Sequence, residues 1–246
     1  MFLAEPPPSQ GDIHFRLLGF PVRIHPFFWL MTLMLGLNGA TTDPLVFLTW
    51  VVAVTLCILL HELGHAIVMR EFGYDASIVL YSFGGLAIPR GRRWGAREPG
   101  AWGQILILLA GPGSGFLLAL LMIVGLHYLG GYHVNFMETS WRQIVPRVDL
   151  PNPLIDNFVY QVFYITVWWG LINLLPVYPL DGGQIAYHFF TMFDRQEALK
   201  HSLILSVMVA GIMCFVSFVQ WEQIYTGILF LWLGYSSFTA LQQLRV

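Results

Sequence analysis

Of the 246 residues, 57% are hydrophobic and only 11% are charged, against roughly 25% charged residues in an ordinary soluble domain; this composition excludes a water-soluble globule and needs lipid around it. A net charge of −2 offers no basic field for nucleic acid. The two cysteines, Cys57 and Cys214, lie in apolar runs without ligand-type spacing, so neither a disulfide framework nor a thiolate zinc site is expected.

The chain opens on MFLAEPPPSQGD, which lacks the cationic start and apolar core of a cleaved signal peptide and reads as a flexible, proline-rich tail over 1–12. A membrane-crossing helix needs about 20 apolar residues. Six runs approach that length: Pro26–Thr41, Pro44–Arg70, Ala101–Gly130, Asn157–Pro179, His201–Gln220 and Gln223–Gln243. The expected fold is therefore an all-α integral membrane protein of about six transmembrane helices, forming a single membrane-embedded domain over 1–246. Between the second and third runs, Ser77–Pro89 is apolar, rich in β-branched residues and broken by Gly84–Gly85; it predicts a small re-entrant β-hairpin, which lipid tolerates only where protein or a cavity covers the backbone. The polar stretch 131–156 is expected outside the membrane. If all six runs cross, ten of the 12 Lys and Arg residues fall on one side, with Arg142 and Arg147 on the other. The positive-inside rule then makes both termini cytoplasmic, and the expected location is a prokaryotic cell membrane.

The second run contains His61-Glu62-Leu63-Gly64-His65. On a helix, positions i and i+4 lie about 40° apart on one face, so both imidazoles can reach one metal ion. Glu62 is then placed to take a proton from a water that attacks a carbonyl. Ionisable side chains in an apolar span cost about 2.5–3.5 kcal/mol each even on insertion scales, which argues against a chance pattern. A third ligand is sought near the ends of other spans, and Asp181 is the best placed. It follows Asn173-Leu174-Leu175-Pro176-Val177-Tyr178-Pro179-Leu180 and precedes Gly182-Gly183, where prolines and glycines interrupt the helix and free backbone groups to line a polar site. Taken alone Asp181 reads as a helix cap or turn residue at the membrane surface; paired with HExxH and the required ligand count it reads as the third ligand. Asn173 could donate to a developing oxyanion or act as interhelical packing glue.

HELGH in an early span followed by NLLPVYPLDGG in a later one resembles the site-2 protease family of intramembrane zinc metalloproteases, peptidase family M50, in a minimal form without PDZ or CBS domain. FRLLGFPVRIHPFF, SFGGLA and AGPGSG extend the resemblance over nearly the whole chain. It implies a single zinc ion held by His61, His65 and Asp181, with Glu62 catalytic. At Gly115, where family members often carry Asn, any polar role is absent and close packing through Gly111 and Gly115 is the simpler account.

The implied function is hydrolysis of peptide bonds in transmembrane segments, by a zinc-activated water with Glu62 as general base. The expected partners are single-span membrane-protein substrates and the lipid bilayer; an oligomer is compatible with this reading. With about 1.5 Å of rise per residue, His65 and His61 would lie about 7 and 13 Å from the cytoplasmic end of their helix. A helical substrate must unwind before attack, and the strand around Ser82, Phe83, Gly84, Gly85 and Leu86 could receive it as an added strand; alternatively that hairpin only plugs the membrane surface. The remaining histidines, His14, His25, His127, His133, His188 and His201, are not expected to bind metal, and Trp168, Trp169 and Trp221 read as interface anchors or lipid-facing packing. The rival function classes are a metal-ion or proton transporter using the same intramembrane residues, and an inactive relative that binds clients without cutting them.

Overall fold

The computed structural model describes residues 5–37, 43–82, 84–92, 94–96, 98–132, 146, 148–221 and 223–244. The elements run β1 (Ile13–Leu17), β2 (Phe20–Ile24), α1 (Pro26–Leu37), α2 (Pro44–Glu71), β3 (Tyr74–Tyr81), β4 (Gly84–Arg92), α3 (Ala101–Val124) with a π-helical end over Gly125–Leu129, α4 (Pro153–Asn173), α5 (Asp181–Phe190), α6 (Ala198–Val219) and α7 (Ile224–Gln243). The protein is mostly helical rather than all-α.

Among the described residues four helices are long and apolar enough to cross a membrane: α2, α3 with its π-helical end, α6 and α7. These are four of the six expected crossings; the other two correspond to α1 and α4. In α1 only 12 residues are helical, about 18 Å at 1.5 Å per residue, well short of a hydrocarbon core of about 30 Å. The 21-residue α4 carries Asp156, Asn157 and Gln161 in its first half and stops at Asn173, not at Pro179 as the apolar run suggested. Beyond it a separate short helix, α5, begins at Asp181.

The chain divides into two compact units. One takes in Ala4–Ala96 and Ala110–Gly170. Its sheet has the order β1-β2-β3-β4, antiparallel at both ends and parallel between β2 and β3. The parallel pair needs a long crossover, which α1 and α2 supply. Leu18 and Gly19, at φ 50° and 89°, make the left-handed turn that joins β1 to β2. No strand was expected here, because the two strands have only five residues each and carry Arg16 and Arg23 among the apolar positions. The second hairpin runs from Tyr74 to Arg92, wider than the expected Ser77–Pro89; it turns at Ser82, at φ 51°, and Gly84–Gly85 open β4. Phe20, Val22, Ile24, Ile78 and Leu80 join Ala53, Val54, Cys57 and Ile58 of α2 in one core with Val162 and Ile165 of α4.

Part of the expected N-terminal tail is held to this sheet. Buried Arg23 donates to Glu5, to Asp12 and to the Pro6 carbonyl at 2.8–3.1 Å, and Arg90 of β4 makes a two-pronged pair with Glu5. The Arg90 guanidinium keeps the Glu5 carboxyl below the usual carboxylate range. Most of the stretch 131–156 lies outside the described residues.

Helix α2 starts and stops where local chemistry dictates. Asp43 accepts from the Leu45 N–H at 2.8 Å with proline at the first helical position, and Gly73, at φ 83°, follows its end. Its middle lies against α3 at Gly64: a Cβ there would fall 2.3 Å from the Ala110 carbonyl oxygen and 2.8 Å from Ser114 Oγ. Ser114 Oγ also donates to the Leu60 carbonyl at 3.0 Å. Gly64→Ala is therefore expected to destabilise the fold by about 1–3 kcal/mol through overpacking against backbone, seen as a lower melting temperature in detergent; an unchanged melting temperature would contradict this helix spacing.

The other unit takes in Arg97–Leu109 and Leu171–Val246. Val177, Ala210, Phe230 and Leu233 form its core, with α6 packed along α7 and α5 against α6.

Candidate active site

Helix α2 presents His61 and His65 one turn apart, 4% and 5% exposed. Their Nε2 atoms face each other at 3.2 Å, with the rings edge to face. Two nitrogens bound to one tetrahedral zinc at about 2.0–2.1 Å each would stand about 3.3 Å apart, so the pair has the spacing of shared ligands. Gly111 of α3 leaves the room this needs. A Cβ at Gly111 would lie 2.2 Å from His65 Nε2 and 2.8 Å from His61 Nε2. The Gly111 and Gly115 pair expected to serve close packing does so in two ways: Gly111 faces the imidazoles, while Gly115 faces Thr166 of α4, 3.2 Å from where its Cβ would be.

Glu62, one position further round α2 and 4% exposed, lies against β4. A Cβ at Gly85 would fall 2.4 Å from Glu62 Cγ and 2.8 Å from its Oε1, so glycine is what lets the strand approach the carboxylate. Gly84 meets a different partner, Trp169 of α4, whose Cζ2 and Cη2 stand 3.1 and 3.3 Å from a Cβ placed there. Of the predicted strand residues, Ser82 occupies the turn, Leu86 pairs with Val79 in the ladder, and Phe83 lies outside the described residues. Thus His61, His65, Glu62 and Gly85 come together around α2.

Asn173 and Asp181 belong to the other unit, and both are buried. Asp181 is the first residue of α5, where a carboxylate is favoured by the helix dipole. The backbone before it folds back on α5 so tightly that a Cβ at Gly182 would lie 2.2 Å from the Leu174 carbonyl oxygen, and one at Gly183 2.3 Å from the Tyr178 nitrogen. Serines satisfy the backbone groups this interruption frees. The Tyr178 N–H donates to Ser206 Oγ at 2.9 Å, Ser237 Oγ donates to the Tyr178 carbonyl at 3.2 Å, and Ser202 Oγ donates to the Gly183 carbonyl at 2.9 Å. These supports were missed from sequence, although serines four apart in an apolar span, Ser202 and Ser206, are a legible sign of buried polar work.

Trp169 was also missed. The sequence reads it as an interface anchor or lipid-facing packing, yet its ring stands 6.4 Å from that of His61, edge on, and packs with the core of its unit. The other histidines with described ring neighbours pack on aromatics: His25 on Tyr81, His127 on Tyr128, His188 on Tyr187 and His201 on Phe190.

In chemical terms, His61 and His65 offer two facing imidazole nitrogens on one helix and Asp181 a buried carboxylate at a helix start, and two imidazoles with one carboxylate are the ligand types of one class of catalytic zinc site. The chain is similar to Stage IV sporulation protein FB of Bacillus subtilis, 25% identical over 230 residues, which cover 90% of this chain and 66% of that protein. It is also similar to a zinc metalloprotease of Methanocaldococcus jannaschii, 23% identical over 177 residues covering 70% of this chain and 43% of the relative. The chain thus spans less than two thirds of either relative's length. The solved structure of a site-2 protease from Methanocaldococcus jannaschii shares its fold, with a TM-score of 0.58 at 19% identity over 94% of this chain and 95% of that one. A donor set suited to zinc, a glutamate beside it in an HExxH helix, and a match over residues 49–216 to the model of Peptidase family M50 lead to one assignment: the chain belongs to peptidase family M50.

Proposed function

We propose that this protein is an intramembrane zinc metalloendopeptidase that cuts transmembrane segments of single-span membrane proteins. The observation that carries this is the pair of Nε2 atoms 3.2 Å apart with Glu62 one residue away and pressed against Gly85 of β4. Asp181 is the third ligand. Zinc, when bound, supplies the Lewis acidity that makes water nucleophilic near neutral pH and polarises a carbonyl. Glu62 accepts the proton of the attacking water and returns it to the leaving amine. The Asn173 amide donates to the oxygen on which charge develops.

Because β4 ends the sheet order, its outer edge offers backbone donors and acceptors to an unwound substrate, which adds as a further strand. Glu62 then lies beside the strand to which the scissile peptide is paired. The sheet serves as a re-entrant element near the cytoplasmic face. Taking α1 and α4 as the further two of six passes, with the bilayer thinned locally at the short α1, the distribution of Lys and Arg puts both termini in the cytoplasm.

The test is to purify the protein in detergent, measure its zinc and incubate wild type and Asp181→Ala with a panel of single-span substrates. Wild type should hold a single zinc and cleave, a chelator should stop cleavage, and Asp181→Ala should lose both zinc and activity. Full zinc content in Asp181→Ala would remove Asp181 from the ligand set. Zinc in the wild type without cleavage of any substrate would count against the protease reading.

A further inference from the structure

The start of β4 is held from two directions. Gly85 gives way to Glu62, and Gly84 gives way to the six-membered ring of Trp169. The same indole stands edge on to the His61 ring at 6.4 Å. Trp169 lies on the α4 face that also carries Val162 and Thr166, at positions i, i+4 and i+7. That face is anchored to α2, since Thr166 Oγ1 donates to Cys57 Sγ at 3.3 Å and the Val162 carbonyl accepts from the same sulfur at 3.8 Å. At the next residue the helix is closed against α3: a Cβ at Gly170 would lie 2.8 Å from the Phe116 ring. The indole therefore projects from a helix braced on both neighbours, and a rigid aromatic side chain in such a setting is a spacer.

We propose that Trp169 is a positioning residue for cleavage: it sets the depth at which the β4 edge, and a substrate strand paired to it, stands relative to Glu62. This rests on the protease reading given above, including strand addition at β4. Trp169 carries no proton in the reaction. Its effect is on distance, and a misplacement of about 1 Å can cost on the order of 100-fold in rate.

The experiment is a double-mutant cycle on the full chain in detergent, with a substrate that wild type cleaves and Glu62→Gln does not. Trp169→Ala should lower kcat by about 10–100-fold with zinc content unchanged, and Trp169→Phe should recover most of the loss. Gly84→Ala, which pushes a methyl group into the indole, should also lower kcat. In the Trp169→Phe background that penalty should shrink, because the smaller ring leaves room; interacting neighbours are non-additive in this way. Trp168→Phe, in a separate cluster with Phe163 and Ala119, should change nothing. If Trp169→Ala proves too unstable to purify, the cycle between Trp169→Phe and Gly84→Ala decides alone. Additive penalties, unchanged kcat in Trp169→Ala, or zinc lost in step with kcat would overturn the positioning role while leaving the protease reading intact. A wild type that cleaves no substrate would overturn both.

Discussion

Glu62→Gln should abolish most of the cleavage while leaving the metal in place, with kcat falling by about 10²–10⁴-fold, the usual worth of a general base. Glutamine has the shape of glutamate, so the contact with Gly85 survives, and His61 and His65 keep their facing Nε2 atoms. What disappears is the capacity to accept a proton. Single-turnover cleavage together with metal analysis of the same preparation checks this. Zinc retained with activity lost assigns Glu62 the base; activity within about tenfold of wild type would mean that another group takes the proton, and zinc lost with activity would mean that Glu62 is needed to build the site.

Gly111→Ala should empty the site without altering any ligand. A methyl group there would lie 2.2 Å from His65 Nε2, 2.4 Å from its Cε1 and 2.8 Å from His61 Nε2, distances that no packed carbon tolerates. The imidazoles are short, held by a buried helix turn, and can move only by rotating their nitrogens off the shared point. Loss of groups that orient metal ligands typically costs about 10–100-fold in affinity, and direct occlusion should reach at least that. Competition with a chromogenic chelator measures it. Gly113→Ala is the matched control, because a Cβ at Gly113 meets nothing within 4 Å; zinc affinity should be unchanged and the helix slightly firmer, since glycine in a helix interior costs about 1 kcal/mol relative to alanine. Equal zinc affinity in both variants would contradict the approach of α3 to the histidines.

The two substitutions separate two kinds of information. Glu62 is legible from the linear sequence, because HExxH needs only helical periodicity to place two nitrogens and a carboxylate on adjoining faces. Gly111 is legible only as a small residue in an apolar run; that it faces His65 is a matter of which helix lies against α2 and at what depth. Trp169 makes the same point more sharply. A tryptophan near a helix end in an apolar chain reads as an interface anchor, and the contact with Gly84 joins residues 85 positions apart in the chain.

By itself the sequence determined the elements whose cause is local. Asp43-Pro44 starts α2 and Gly73 follows its end, because a capping carboxylate, a fixed φ and a left-handed φ are properties of those residues wherever they occur. The four long apolar helices follow from composition, and the break ahead of Asp181 follows from Pro176, Pro179, Gly182 and Gly183. Tertiary structure decided what depends on partners distant in sequence. The pairing of β2 with β3, which joins the first hairpin to the second in one sheet, is set by burial against α2 rather than by any signal in five-residue strands. The length of α1 and the placement of Gly84–Gly85 at the head of β4 instead of in the turn were decided there too. So were the roles of Ser202, Ser206 and Ser237: a hydroxyl in a helix becomes a structural donor or acceptor only once another segment brings it an unpaired amide or carbonyl, and no local pattern states which segment that will be.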